Sequence, residues 1–192
     1  MAWFQILCLA IIMGTITMNR IDRWTPYDQL PPALQSKIDA LHPRHGARED
    51  GGYMNGISAL AAVNQHVNNK FKYQREPSGD KWKTPNEFFN DNGGDCEDFA
   101  IYKFHLLHKR YGIDAVVLVV EVIATGEFHA VLVADVYDPF DRKVKLGTYV
   151  LDNRSDKLLR FEDFIADHKP IYSSDGLGIY QHLTKLEEPY NA

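Results

Sequence analysis

Gly93-Gly94-Asp95-Cys96-Glu97-Asp98-Phe99-Ala100-Ile101-Tyr102-Lys103 is the stretch on which the fold turns. Paired glycines let the backbone bend sharply and leave room beside the next side chain. Helical periodicity then begins at Cys96: Cys96, Ala100, Phe104, Leu107 and Tyr111 recur at spacings that place them on one buried face. His108, Lys109 and Arg110 fall in the last turn, where cations suit the helix dipole, and Gly112 ends the helix. A thiol in the first helical turn lies under unpaired backbone N–H groups that favour its anion. Cysteines that serve packing sit more often mid-helix, away from such a turn.

Upstream, Pro31-Pro32 opens a helical pattern through Leu34, Ile38 and Leu41 that Pro43 ends. Arg44 to Tyr53 reads as loop. A second amphipathic helix is expected from Asn55 to Phe71, with Ile57, Leu60, Ala61, Asn64, Val67, Asn68 and Phe71 at helical spacing. Thr84-Pro85-Asn86-Glu87 is a capping box with proline at the first helical position, announcing a short helix through Phe89. Downstream the period changes. Ala115 to Ile123 is a β-branched run, Ala124-Thr125-Gly126 a tight connection, Glu127 to Tyr137 a second strand and Thr148 to Leu151 a third. Phe161 to Tyr190 mixes a short helical piece with loop or edge strand. Helices followed by a meander of strands indicate an α+β fold in which the Cys helix packs on an antiparallel sheet.

The 192 residues suit one compact domain, and 45% apolar with 24% charged residues is an ordinary globular composition. A net charge of −5 argues against a nucleic-acid partner, which calls for a basic face. Cys8 and Cys96 are the two cysteines. Cys8 lies in the apolar run from Trp3 to Met13, so a disulfide framework is not expected and Cys96 acts as a lone thiol. That run is too short to span a membrane comfortably but suits the apolar part of an export signal. No Lys or Arg precedes it and no clean cleavage site follows, so an uncleaved anchor or an N-terminal helix remain readings of it. We therefore divide the chain into a signal-like or anchor segment, 1–22, and a single domain, 23–192.

A cysteine nucleophile needs a base. His42, His45, His66, His105, His108, His168 and His182 fall in loops, on helices or in the tail, whereas His129 stands in a strand among apolar residues. Alternation puts His129, Val131 and Val133 on one face, and the imidazole reaches the sulfur if that face meets the Cys helix. A third partner would orient the ring. Asp152 closes the strand Thr148-Tyr149-Val150-Leu151; it either orients His129 or starts a turn with Asn153. Asp135, six residues along the His129 strand, is too far away at about 3.3 Å per residue. Asp95, Glu97 and Asp98 should raise the thiol pKa. Either they are acids favoured by the helix dipole, or a bound hard cation offsets them.

Trp82-Lys83-Thr84-Pro85-Asn86-Glu87-Phe88, then Gly94-Asp95-Cys96-Glu97-Asp98-Phe99-Ala100 with Lys103, His129-Ala130-Val131-Leu132 and Leu151-Asp152-Asn153, resemble the bacterial transglutaminase-like cysteine proteinases. The LapG-type periplasmic proteases that cut large surface adhesins are their best-described members. The resemblance runs from about Asn64 to Tyr172 and includes Pro170-Ile171-Tyr172. It implies a papain-like, transglutaminase-like fold, with Cys96 as nucleophile, His129 as general base and Asp152 as orienter. It also implies calcium beside the nucleophile on Asp95 and Glu97, with Asp98 as a further candidate, which meets the charge argument. Phe99 stands where Tyr is more usual and Ala130 where Met is common; neither touches the chemistry. The expected activity is calcium-dependent cysteine endopeptidase on an adhesin or other cell-envelope protein, in the periplasm, by a monomer; a membrane-bound regulatory protein is a further partner to consider. Rival readings are a transglutaminase-like amidase or acyltransferase and a non-catalytic calcium-binding module; the intact Cys, His and Asp argue against the second. Cys96's backbone amide is one candidate oxyanion-hole donor.

Overall fold

A computed structural model of the chain describes residues 20–26, 29, 32, 35, 56–76, 81–138, 141 and 143–184. The apolar run from Trp3 to Met13, the Arg44–Tyr53 loop, most of the helix expected after Pro31-Pro32 and the last residues of the tail lie outside them. In chain order the elements are β1 (Arg20–Pro26), α1 (Gly56–Lys70), β2 (Lys72–Tyr73), α2 (Pro85–Asn90), β3 (Gly93–Gly94) and α3 (Cys96–Leu106). A π-helical turn (Leu107–Tyr111) extends α3. Then follow β4 (Ala115–Val122), β5 (Phe128–Tyr137), β6 (Lys145–Leu151), β7 (Leu159–Arg160), α4 (Phe161–Phe164), β8 (His168–Ser174) and β9 (Gly178–Thr184).

Seven strands form one sheet in the order β1-β9-β8-β4-β5-β6-β7, every neighbouring pair antiparallel. The α+β architecture expected from the sequence is present. The tail departs from expectation: β8 lies inside the sheet between β9 and β4 rather than at its edge. Its register slips opposite Val119/Val120, where Ile171 is left between the pairs Val119↔Tyr172 and Val120↔Pro170. Such a bulge accommodates a proline, which has no N–H for the ladder. β1 pairs with β9 from Arg20↔Thr184 to Pro26↔Gly178, so this strand runs across the 22/23 division.

Both faces of the central strands are covered. Ala130, Leu132, Ala134 and Val136 of β5 pack with Leu60, Val63 and Val67 of α1, Phe88 of α2, and Phe99, Ala100 and Phe104 of α3. Val116, Leu118, Val120, Val131, Val133 and Val150 pack on the other side with Phe161 and Phe164 of α4. Alternation along each strand divides its residues between these two layers. Phe88, fully buried, gathers an aromatic cluster: its ring lies 4.7 Å from Phe71, 5.0 Å from Phe99 and 4.9 Å from Tyr102. Edge-to-face and tilted pairs at such separations are favourable beyond the area they bury.

Local signals explain the helix ends. The Thr84–Glu87 capping box forms, with Glu87 N–H donating to Thr84 Oγ1 at 3.3 Å and Thr84 N–H to Glu87 Oε2 at 2.8 Å. Gly112, at φ 60°, ends the helix in the left-handed conformation and donates its N–H to His108 O at 3.1 Å.

Candidate active site

Cys96 takes its place from the two glycines. Gly93 has φ +142°, and a Cβ there would stand 1.9 Å from Lys72 O. A Cβ on Gly94 would stand 2.1 Å from Asp98 Oδ2. Only glycine at both positions lets β3 run against β2, with Lys72↔Gly93 and Tyr73↔Gly94 paired in parallel, and turn at once into α3. Asp98 uses the space beside Gly94. It is fully buried and accepts Lys83 N–H at 2.7 Å on Oδ1 and Asp95 N–H at 3.2 Å on Oδ2, which ties the approach to α2 to the start of α3. Burial pushes its carboxyl up to about 7.

The three acids expected beside the nucleophile therefore part company. Asp98 faces inward with both oxygens engaged by backbone, as suits the third residue of a helix. Asp95 and Glu97 stay near the sulfur: Cys96 Sγ–H donates to Glu97 Oε2 at 3.2 Å, and both carboxyls act on the thiol's ionisation. Burial is the main cause that raises Glu97. The thiol is pushed up to about 12, first by burial and then by the Glu97 carboxylate, while the Ala130 N–H on the sulfur opposes the rise. Neighbouring carboxylates of this kind are suitable donors for a hard cation. Among the described residues no group of three or more His, Cys, Asp or Glu converges in metal-binding geometry. A cation held by Asp95 and Glu97 would complete its shell from backbone carbonyls and water.

Cys96 packs against the core cluster that includes Ala130 of β5, one residue beyond His129. The route differs from the one expected. Val131 and Val133 pack against α4 on the far face, so the strand face carrying them does not meet the Cys helix; the face of Ala130 and Leu132 does. His129 stands near the start of the strand, 6% exposed, with Nε2 3.0 Å from Asp152 Oδ1. That bond occupies Nε2. Asp135 is engaged elsewhere, accepting Thr148 Oγ1–H at 2.7 Å and facing Lys145 Nζ at 2.8 Å.

Asp152 has a second partner that reading the sequence missed. Arg154 donates its backbone N–H to Oδ1 at 2.9 Å, and Nε and Nη2 to Oδ2 at 3.2 and 3.1 Å. With His129 and Arg154 on it, the carboxyl sits well below the usual range although burial alone would raise it. Arg154 Nη2 also lies 3.3 Å from His168 Nε2; His168 donates Nδ1–H to Phe164 O at 2.9 Å and stacks on that ring at 4.0 Å. An arginine two residues beyond a candidate orienter was the available signal. Asn68 Nδ2 holds the same turn from α1, donating to Asp152 O and Ser155 O, each at 3.0 Å.

A helix-start thiol, a strand imidazole on a buried carboxylate and a flanking acid pair are the kinds of group a thiol hydrolase uses. Residues 49–168 match the family model described as bacterial transglutaminase-like cysteine proteinase, BTLCP. The chain belongs to this family. It is a cysteine peptidase. Among solved structures the fold is similar to Legionella pneumophila LapG, with a TM-score of 0.54 and 29% identity over 78% of this chain and 76% of that one. The calcium-bound form of LapG matches with the same figures. Its EGTA-treated form matches with a TM-score of 0.54 over 78% of this chain and 74% of that one. No curated protein matches the chain. Among the described residues no helix is long and apolar enough to cross a membrane.

Proposed function

We propose that this family member is a calcium-dependent endopeptidase with Cys96 as nucleophile, His129 as general base and Asp152 as orienter, acting on an adhesin-type exported protein in the periplasm. The observation that carries the reading is the buried His129 Nε2–Asp152 Oδ1 contact at 3.0 Å, on the strand whose next residue, Ala130, belongs to the core cluster that Cys96 packs against. Asp152 favours the tautomer with hydrogen on Nε2, so Nδ1 can accept the thiol proton. The Cys96 thiolate then attacks the carbonyl carbon of the scissile amide, and the His129 imidazolium protonates the departing amine as the C–N bond breaks. Neutral His129 next takes a proton from water, whose oxygen attacks the thioester and returns Cys96. The Cys96 backbone N–H, at the start of α3, is the candidate donor to the developing oxyanion. Asp95 and Glu97 would hold calcium, and a cation there supplies positive charge that offsets their carboxylates and favours the thiolate.

The LapG-like motifs and the apolar run Trp3 to Met13 support the exported substrate and compartment; a membrane-bound regulatory protein fits the same setting. The experiment is incubation of the wild-type chain and Cys96→Ala with exported proteins of the host, in calcium and in EGTA, followed by mapping of new N-termini. New N-termini in wild type with calcium alone are expected. Cleavage by Cys96→Ala would overturn the nucleophile, and equal cleavage in EGTA would overturn the calcium dependence.

A further inference from the structure

Lys103 is a charged side chain buried completely in the core, and nothing in the mechanism above uses it. It lies seven residues after Cys96, nearly two helical turns, so both project from the same side of α3. Among the described residues its ammonium makes one hydrogen bond, to Asn64 Oδ1 on α1 at 2.7 Å, and lies 5.9 Å from the Phe99 ring. Asn64 passes the constraint on, since its Nδ2 donates to Ser155 O at 2.8 Å. Asn68, one turn later on α1, holds Asp152 O and Ser155 O. Burial pulls the Lys103 ammonium down to about 7, against the attraction of Asp152 first and Asp156 second.

Ionised amines are seldom left in a core without a carboxylate in contact, because an apolar residue of the same volume would serve packing without the desolvation cost. What an apolar residue cannot do is fix the Asn64 amide. With Nζ on Oδ1, the amide must present Nδ2 to the Ser155 carbonyl. The chain Lys103–Asn64–Ser155 thereby sets the turn from Asp152 to Ser155 against the helix that carries Cys96. Nucleophile and orienter lie on separate elements, and small misplacements between such groups are costly in rate.

We propose that Lys103 is a positioning residue for catalysis: acting through Asn64, and beside Asn68, it holds the Asp152 turn in register with the Cys96 helix. This rests on the assignment of Asp152 as orienter. The test compares Lys103→Met, Asn68→Ala and Asp152→Asn with wild type in the full chain, using a fluorescence-quenched peptide selected from a random pool for cleavage by wild type. Lys103→Met is expected to lower kcat about tenfold to a hundredfold, in line with a misplaced catalytic group, with KM within about twofold and a displaced proton resonance for His129 Nε2–H. Asn68→Ala should act in the same direction, by a smaller factor, with the core intact. If Lys103→Met does not fold, Asn68→Ala decides. Wild-type kcat in the folded variants, or an unmoved His129 resonance beside a lower melting temperature, overturns the inference when Asp152→Asn is inactive. An active Asp152→Asn overturns the orienter assignment instead.

Discussion

Replacing Asp152 by Asn keeps the volume and one acceptor oxygen but removes the charge on which four donors converge. Asp152 is 3% exposed, so water cannot take over the lost contacts. If Oδ1 keeps His129 Nε2 and the Arg154 N–H, the new amide NH₂ faces the Arg154 guanidinium, donor against donor. If the amide flips, its NH₂ faces His129 Nε2, and the ring must move its hydrogen to Nδ1, where it can no longer accept the thiol proton. Either arrangement harms the base. The expected fall in kcat is about 10³–10⁴-fold with KM nearly unchanged, the scale seen when the same change misorients the base of a serine triad. Stability should fall by about 1.5–3 kcal/mol, the scale of a lost hydrogen bond to a charged group. The pH dependence gives an independent check. The carboxyl is depressed in the folded state, so its stabilising contribution is present above the unfolded value of about 3.9. That contribution is lost as pH falls below it. Wild type should therefore lose its advantage over Asp152→Asn between about pH 5 and the acid limit. Steady-state kinetics on a cleaved peptide and melting curves from pH 3 to 8 measure both effects. Retention of more than about a tenth of wild-type kcat would refute the tautomer argument.

Phe88→Ala empties a fully buried site among three aromatic rings and should cost about 3–5 kcal/mol in chemical denaturation. Gly93→Ala places a Cβ 1.9 Å from Lys72 O in a backbone conformation that costs a side chain about 1–3 kcal/mol; it should lower the melting temperature and the peptidase rate together. Thr84→Ala removes the N-cap of α2 and should cost about 1 kcal/mol with activity retained. In that helix the Lys81 and Thr84 bonds hold Glu87 down to about 2. The stability it lends is present above its usual value of 4.5 and is lost as pH falls toward 2, which melting of Glu87→Gln across that range will show.

Elements that announce themselves locally were legible in the sequence. The glycine turn, the apolar face of α3, the Thr84–Glu87 box and the β-branched run of β4 each carry their own period or cap, and each stands where it was expected. β8 and β9 were not legible as interior strands. His168-Lys169-Pro170 reads as polar and interrupted, and only pairing with β4 across a bulge makes it a strand. β1 escaped notice for a related reason: Arg20-Ile21-Asp22-Arg23 has no apolar run, and its partner β9 is more than 150 residues away in sequence. Cys96, His129 and Asp152 are candidates by residue type and order, which say nothing of how they approach one another. The contact runs through the Ala130 face of β5 because Val131 and Val133 are needed under α4. Asn64 and Asn68 act on the Asp152 turn through bonds between distant segments, and no spacing in one segment reports those, whereas Arg154 lies only two residues beyond Asp152. The inward turn of Asp98 depends on the empty side of Gly94, a feature of the folded backbone.

Reaction with a peptidyl chloromethyl ketone, read by intact mass and peptide mapping alongside the residual rate of peptide hydrolysis, tests the centre most directly. A thioether on Cys96 is expected, with activity lost in proportion to that adduct, and neither adduct at this position nor hydrolysis in Cys96→Ala. Hydrolysis that survives full alkylation of Cys96, or that persists in Cys96→Ala at the wild-type rate, would overturn Cys96 as the nucleophile.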